Sequence, residues 1–327
     1  MDNQQALIEK VNESGRQRAP FLLLVDFLGL NPCFFSLDQF EKEDIEINFP
    51  SYRTKIKSSK PHKVKLNKFM SDRSAYQRKF DLVKYHITRG NTFLTNLTCE
   101  TPIECEASLD EIYTSAVAKY KIRYKDEWVC FSPETFIQTE GHIIRSFPMK
   151  GTIDASFPNA EQTLLLDPKE VAEHYTIVDL IRNDLSMVST DVTVKKFRYI
   201  DTITTSEKTL LQVSSQIEGK LPENYLDHLG TILFTLLPAG SISGAPKKKT
   251  IEIIREAEGY ERGFYTGTAF YFDGTNIDSC VLIRFIENKQ TASGKRLLYK
   301  SGGGITFHSD AEKEFQELSD KIYVPGF

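Results

Sequence analysis

Hydrophobic positions along the chain follow two periods, and the change from one to the other marks its elements. The run PFLLLVDFLG, from Pro20, is apolar for long enough to form one or two buried strands. After Ser71, which can cap a helix, Tyr76, Phe80, Val83 and Ile87 recur on one helical face until Gly90 ends the pattern. Ser108 with Glu111 forms a capping box, and the helix it opens is expected to run through Tyr120. The runs WVCFSP, HIIRSFPM, VTVKKFRYI, TAFYF, SCVLIRFI and RLLYKSGGGITF then read as strands between turn residues. A helix is expected from Pro246 to near Gly259. The stretch from Lys55 to Lys68 has lysine and proline without interleaved aromatic residues, which fits a solvated connection rather than an RNA-binding arm.

Two further helices each begin with a capping box and carry glutamates three positions apart. One starts at Asp167 and Pro168 and places Glu170 and Glu173 on one face; the other starts at Ser309 with Glu312 and aligns Glu314, Glu317 and Lys321.

Charge and composition narrow the partners. Lysine and arginine number 41 against 45 acids in 327 residues, so no overall basic field points to nucleic acid. Five cysteines without a C-x-x-C pair suggest reduced thiols rather than a disulfide framework or a zinc site. The start MDNQQALIEK has no basic and apolar secretory pattern, and FLLLVDFLGL is short and broken by Asp26. A cytoplasmic protein with no membrane partner is expected.

Several segments are chemically ambiguous taken singly. Two glutamate pairs on two helices can close on a hard divalent cation, or form solvated faces. SGGGITF lacks the spacing of the nucleotide-binding loops; its glycines fit either close backbone approach to a carboxylate or a plain turn. GSISGAPK places small residues before a helix N-terminus, which suits an anion or an ordinary capped loop. Lys150 in FPMKGT and Glu134 in FSPE are undecided alone.

Taken in order, FSPETF, FPMKGT, AEHYTIVDLIRNDL, LLPAGSISGAPK, ERGFYTGTAFY, VLIRF and SGGGITFHSDAEKEFQEL resemble the signature segments of the chorismate-utilising enzymes, over residues from about 90 to 327. That family includes anthranilate, aminodeoxychorismate, isochorismate and salicylate synthases. The resemblance implies an α+β fold of two packed antiparallel β-sheets with helices outside. Residues 1–70 are then a short N-terminal segment and linker of the same unit, and 71–327 the chorismate-binding catalytic domain.

It also implies roles for particular residues. Glu173 and Glu317 match the family's Mg2+ ligands, with Glu170 and Glu314 as carboxylates behind them. Gly151, Thr152, Gly302, Gly303, Gly304 and Lys321 would surround the ring carboxylate of chorismate, and Arg284 and Tyr265 would meet its enolpyruvyl carboxylate. Ser241 stands beside the substrate, and Glu134 matches the general acid on the leaving 4-hydroxyl. Lys150 occupies the position that separates reaction types: aminodeoxychorismate synthases have lysine there, anthranilate synthases alanine. The implied reaction is lysine addition at ring carbon 2, then amination at carbon 4, with ammonia from a separate glutamine amidotransferase subunit, on the route to 4-aminobenzoate and folate.

An amine nucleophile must be neutral, so the site is expected to lower the Lys150 pKa from about 10.4. The rival readings are anthranilate synthase component I and a non-catalytic chorismate-binding subunit. The second is suggested by the short N-terminal part and by Gln212, where many relatives have histidine. Leu94 likewise replaces a frequent glutamine ahead of Asn96.

Overall fold

The computed structural model describes residues 3–40, 42–54, 61–70, 72–204, 209–291 and 294–326. Among them, two antiparallel sheets hold the strands. The nine-stranded sheet runs in the order Met149–Asp154, Thr209–Lys220, Ile143–Ser146, Thr135–Glu140, Ile277–Val281, Thr268–Phe272, Phe21–Val25 and Cys33–Ser36, with Thr190–Thr204 paired to Thr209–Lys220. The eight-stranded sheet runs Gly244–Ala245, Leu94–Glu104, Gly294–Ile305, Phe285–Thr291, Trp128–Ser132, Tyr120–Tyr124 and Ile45–Asn48, with Asn67–Lys68 paired to Leu94–Glu104.

Side-chain alternation shows how the sheets are layered. Phe21, Leu23 and Val25 enter a core with Ile177, Ile181, Leu229 and Leu233 from helices, whereas Leu22 and Leu24 enter a second core with Ile45, Ile47, Trp128 and Phe285 of the other sheet. Successive strand residues face opposite ways, so a strand apolar at every position must be covered on both faces. The second sheet is likewise two-sided: Tyr120, Ile122 and Cys130 face the first sheet, while Val129 and Phe131 pack with Leu109 and Ile112 outside. The α+β expectation of two packed antiparallel sheets with outer helices is borne out.

The outer helices obey their periodicity. Tyr76, Phe80, Val83 and Ile87 of Arg73–Thr88 are all buried, against Leu97, Ile253 and Leu318. The cap is Asp72, whose side chain accepts from the Ser74 amide; Ser71 lies outside the described residues. The Ser108–Glu111 capping box is present, but its helix ends at Ser115, and Tyr120 begins a strand whose side chain is buried between the sheets. The C-terminal helix Ala311–Asp320 is capped by Asp310 rather than Ser309, which instead accepts from the Thr306 amide. Of the expected solvated connection, Lys55–Lys60 lies outside the described residues, and Asn67–Lys68 pairs as a short strand. The five cysteines are free. No helix among the described residues is long and apolar enough to cross a membrane.

Candidate active site

One cavity of about 960 Å³ collects every residue singled out from the sequence: Lys150, Glu134, Gly151, Thr152, Ser241, Tyr265, Arg284, Gly302, Gly303, Gly304, Lys321, Glu170, Glu173, Glu314 and Glu317. Its walls come from both sheets and from the helices Pro168–Ser186 and Ala311–Asp320. The start of the helix Lys247–Glu258 does not line it, although Ser241 and Ser243 of the preceding turn do. SGGGITF is neither a turn nor a nucleotide loop: Gly302–Gly304 lie within the strand Gly294–Ile305.

Lys150 is aimed by a backbone irregularity. Lys150 pairs with Val213 and Thr152 with Gln212, which leaves Gly151 as the extra residue of a bulge. Its φ of +78° is one that glycine adopts without strain, and a Cβ there would stand 2.8 Å from Glu170 Oε2. Across the cavity Lys150 Nζ lies 2.7 Å from Glu173 Oε2, a carboxylate 6% exposed.

The two glutamate pairs are built alike. Asp167 accepts from the Glu170 amide at 3.0 Å and Pro168 opens the helix, which sets Glu170 and Glu173 toward the cavity. Asp310 caps the second helix by accepting from the Lys313 amide. Glu314 is buried there, and Glu317 pairs with Lys321 at 2.7 Å while Lys321 also donates to the Gly302 carbonyl at 2.9 Å. A Cβ on Gly303 would stand 3.3 Å from Glu314 Oε2 and 3.9 Å from Glu317 Oε1, so the strand passes close to both carboxylates.

Four carboxylates, Glu170, Glu173, Glu314 and Glu317, line the cavity together with the ammonium groups of Lys150 and Lys321. Hard oxygen donors of this kind suit a divalent cation such as Mg2+. As the side chains stand, no group of three or more histidine, cysteine, aspartate or glutamate side chains among the described residues is arranged to hold a metal ion. Lysine ammonium groups stand against Glu173 and Glu317 instead.

At the other side Ser241 Oγ donates to Glu134 Oε1 at 2.5 Å. Burial pushes the Glu134 carboxyl pKa up, and the Ser241 hydrogen bond with the Lys150, Arg284 and Lys321 charges only partly offsets it. Tyr265 is 3% exposed, and burial raises its hydroxyl pKa. The Arg284 guanidinium stands 5.5 Å from the Tyr323 ring, with its backbone at φ 55°.

The expected lowering of the Lys150 pKa is reversed. Burial works to lower it, but the Glu173, Glu317 and Glu170 carboxylates outweigh burial and hold it above the ordinary lysine value. Lys321, by contrast, is lowered by burial and by the Arg284 and Lys150 charges, with Glu317 opposing.

A two-sheet scaffold with an acid, an amine and two carboxylate pairs converging on one cavity defines a small-molecule enzyme site. The chain belongs to the family described as chorismate binding enzyme, whose profile matches residues 36–325. It is 46% identical over 321 residues to an uncharacterized PabA-like protein of Haemophilus influenzae, covering 98% of this chain and 97% of that one. Aminodeoxychorismate synthase component 1 of Bacillus subtilis is 30% identical over 265 residues, 76% of this chain and 54% of that protein. The crystal structure of anthranilate synthase component I from Streptococcus pneumoniae superposes with a TM-score of 0.64 at 25% identity, covering 79% of this chain and 58% of that one.

Lys300 escaped the sequence reading. It lines the cavity, is 1% exposed and lies 3.0 Å from Glu287. A lysine directly after the apolar run Leu297–Tyr299 and directly before SGGG was the available signal.

Proposed function

We propose that the chain aminates chorismate at ring carbon 4, forming 4-amino-4-deoxychorismate, with Lys150 as covalent nucleophile and Glu134 as general acid. The observation that carries this reading is an amine and a buried carboxyl opening on the same cavity, Lys150 in its glutamate-lined half and Glu134 against Ser241. Burial raises the Glu134 pKa, the direction that favours donating a proton to a departing hydroxyl.

In the first step the neutral Lys150 amine bonds to carbon 2, the two conjugated ring double bonds each shift by one position and the carbon 4–oxygen bond breaks. The oxygen leaves as water with the proton of Glu134. In the second, ammonia bonds to carbon 4, both double bonds shift back, the carbon 2–nitrogen bond breaks to return the neutral Lys150 amine, and a proton of the incoming nitrogen returns to Glu134. The net change is chorismate plus ammonia to the 4-amino product plus water, with the enolpyruvyl group kept. Before the first step the Lys150–Glu173 ion pair has to yield, because an ammonium cannot attack.

Glu173 and Glu317, with Glu170 and Glu314 behind them, are the residues we assign to Mg2+, whose contribution would be positive charge offsetting a dianionic substrate against a glutamate-rich wall. Arg284 and Tyr265 would take the enolpyruvyl carboxylate. Ammonia would come from a glutamine amidotransferase partner.

The test is product identity: the pure chain with chorismate, Mg2+ and an ammonium salt should give 4-amino-4-deoxychorismate, converted to 4-aminobenzoate by an added lyase. Anthranilate with release of pyruvate would overturn the assignment in favour of amination at carbon 2. No turnover in the presence of tight chorismate binding would favour a binding subunit.

A further inference from the structure

Behind the substrate-facing wall lies a buried ion pair that the proposed chemistry does not use. Arg262 and Glu258 are each 3% exposed, and neither lines the cavity. The guanidinium forks onto the carboxylate, Nε to Oε2 at 2.8 Å and Nη2 to Oε1 at 2.6 Å. Its remaining donors go elsewhere: Nη1 to the Ile242 carbonyl and the Thr266 hydroxyl, both at 3.1 Å, and Nη2 to the Asn96 carbonyl at 2.5 Å. Glu258 is itself held by the Thr98 amide and hydroxyl, each at 2.8 Å.

Those acceptors are not scattered. Ile242 follows Ser241 in the short turn Gly240–Ser243, Asn96 pairs with Gly304, and Thr98 with Gly302. The Thr266 hydroxyl donates onward to the Tyr265 carbonyl at 2.6 Å. One guanidinium therefore ties together the backbone segments that carry Ser241, Tyr265 and the glycine strand. A buried ion pair adds little net stability over an apolar substitute, so its fixed fork geometry is the property that a lysine or a hydrophobic residue cannot reproduce.

We propose that Arg262, oriented by Glu258, is a positioning residue of the site: it holds the Gly240–Ser243 turn so that Ser241 Oγ stays on Glu134. The inference rests on the reading of Glu134 as the general acid, but its geometry does not depend on which product forms. Besides Ser241, the titratable and charged groups facing Glu134 are Lys150, Arg284, Lys321 and Cys280. All four remain in the variants that test the idea.

The experiment titrates Glu134 directly, without substrate, by carbon-13 NMR of protein labelled at the glutamate carboxyl, with Glu134→Gln to assign the signal. Ser241→Ala removes a hydrogen bond to the carboxylate and should raise its pKa by about one unit. Arg262→Lys keeps the charge but loses the fork, and should move Glu134 in the same direction. The double variant should go no further than Ser241→Ala alone, because both act through one hydrogen bond. An Arg262→Lys protein in which Glu134 titrates as in the wild type, or two shifts that add, would overturn the proposal. If Arg262→Lys does not fold, Thr98→Val, which releases one side of Glu258, takes its place in the same cycle. A chain that makes another product yet shows the non-additive shift loses the proposed reaction and keeps the positioning.

Discussion

On the helix Pro168–Ser186, Glu170 and Glu173 stand three residues apart, as Glu314 and Glu317 do on Ala311–Asp320, and each pair holds one lysine of the cavity. The two halves nonetheless differ in charge balance. At Lys150 the surrounding carboxylates outweigh burial and raise the pKa, while at Lys321 burial, helped by the Arg284 and Lys150 charges, outweighs Glu317 and lowers it. Burial also differs, Glu173 being 6% exposed and Glu317 about half exposed. Equal spacing on a helix therefore fixes which residues share a face, and the facing elements decide what the resulting ion pair does.

Removing each lysine separates the halves most strongly. Wild-type protein given chorismate and Mg2+ without ammonia should accumulate an adduct on the Lys150 peptide with the mass of chorismate less one water. Lys150→Ala should form none and lose 4-amination, while Lys321→Ala should still form the adduct, at higher chorismate concentration. Mass spectrometry of the digested protein decides it. Amination at carbon 4 by Lys150→Ala at the wild-type rate would defeat the covalent mechanism.

The second contrast is acid stability. His174 is fully buried on the helix Pro168–Ser186, 2.7 Å from Ser215 Oγ, and burial with the Arg198 and Lys150 charges pushes its pKa down to about 4. Its folded value lies below the unfolded value of 6.5, so the unfolded chain binds the extra proton and stability is lost as pH falls from 6.5 toward 4. His174→Gln should remove up to about 3 kcal/mol of that loss, measured by urea unfolding with a chelator present. Equal pH slopes for the two proteins would remove His174 from the account.

A smaller effect should bring the two lysines into line. Glu173→Gln removes the largest influence that raises the Lys150 pKa, leaving burial to lower it, so Lys150 should then titrate below an ordinary lysine, as Lys321 does. The pH dependence of Lys150 acetylation in chelator, read by peptide mass, measures it. Glu317→Gln should move Lys150 less.

How much of this was legible in the sequence depended on distance along the chain. The buried face of Arg73–Thr88 followed from its period, and the strand runs from their apolar continuity. Caps were displaced by one residue at Asp72 and Asp310, because neighbouring serine and aspartate are equivalent cap formers until the backbone chooses between them. The site residues were gathered by resemblance rather than by physics, since Glu170 and Glu314 bear no local mark of lining one cavity. The Lys150 pKa went wrong for the same reason: its sign is set by carboxylates from two helices that the sequence does not place. Glu258 and Arg262, four positions apart across a helix end, gave a visible spacing but no sign of burial.

The finest contrast concerns the strand between the halves. Successive residues of a strand face opposite ways, and a Cβ on Gly303 would approach Glu314 Oε2 at 3.3 Å and Lys321 Nζ at 3.8 Å, whereas one on Gly304 would approach Lys150 Nζ at 3.0 Å and Leu94 Cδ1 at 3.1 Å. Neither glycine has a positive φ, so alanine meets no backbone strain at either position. The atoms approached are ends of side chains, which yield by a few tenths of an ångström. The stability change should then be within about 1 kcal/mol, since a modest crowding cost opposes the entropy that alanine removes from the unfolded chain. Catalysis should divide by face. Gly303→Ala narrows the space assigned to the ring carboxylate and its cation, which should raise the KM for chorismate with kcat largely retained. Gly304→Ala displaces the Lys150 amine, whose position matters only once the substrate is bound, and should lower kcat with little change in KM. Steady-state kinetics of the two variants side by side measure this, and the same pattern in both would mean that the strand does not divide the cavity into a binding half and a reacting half.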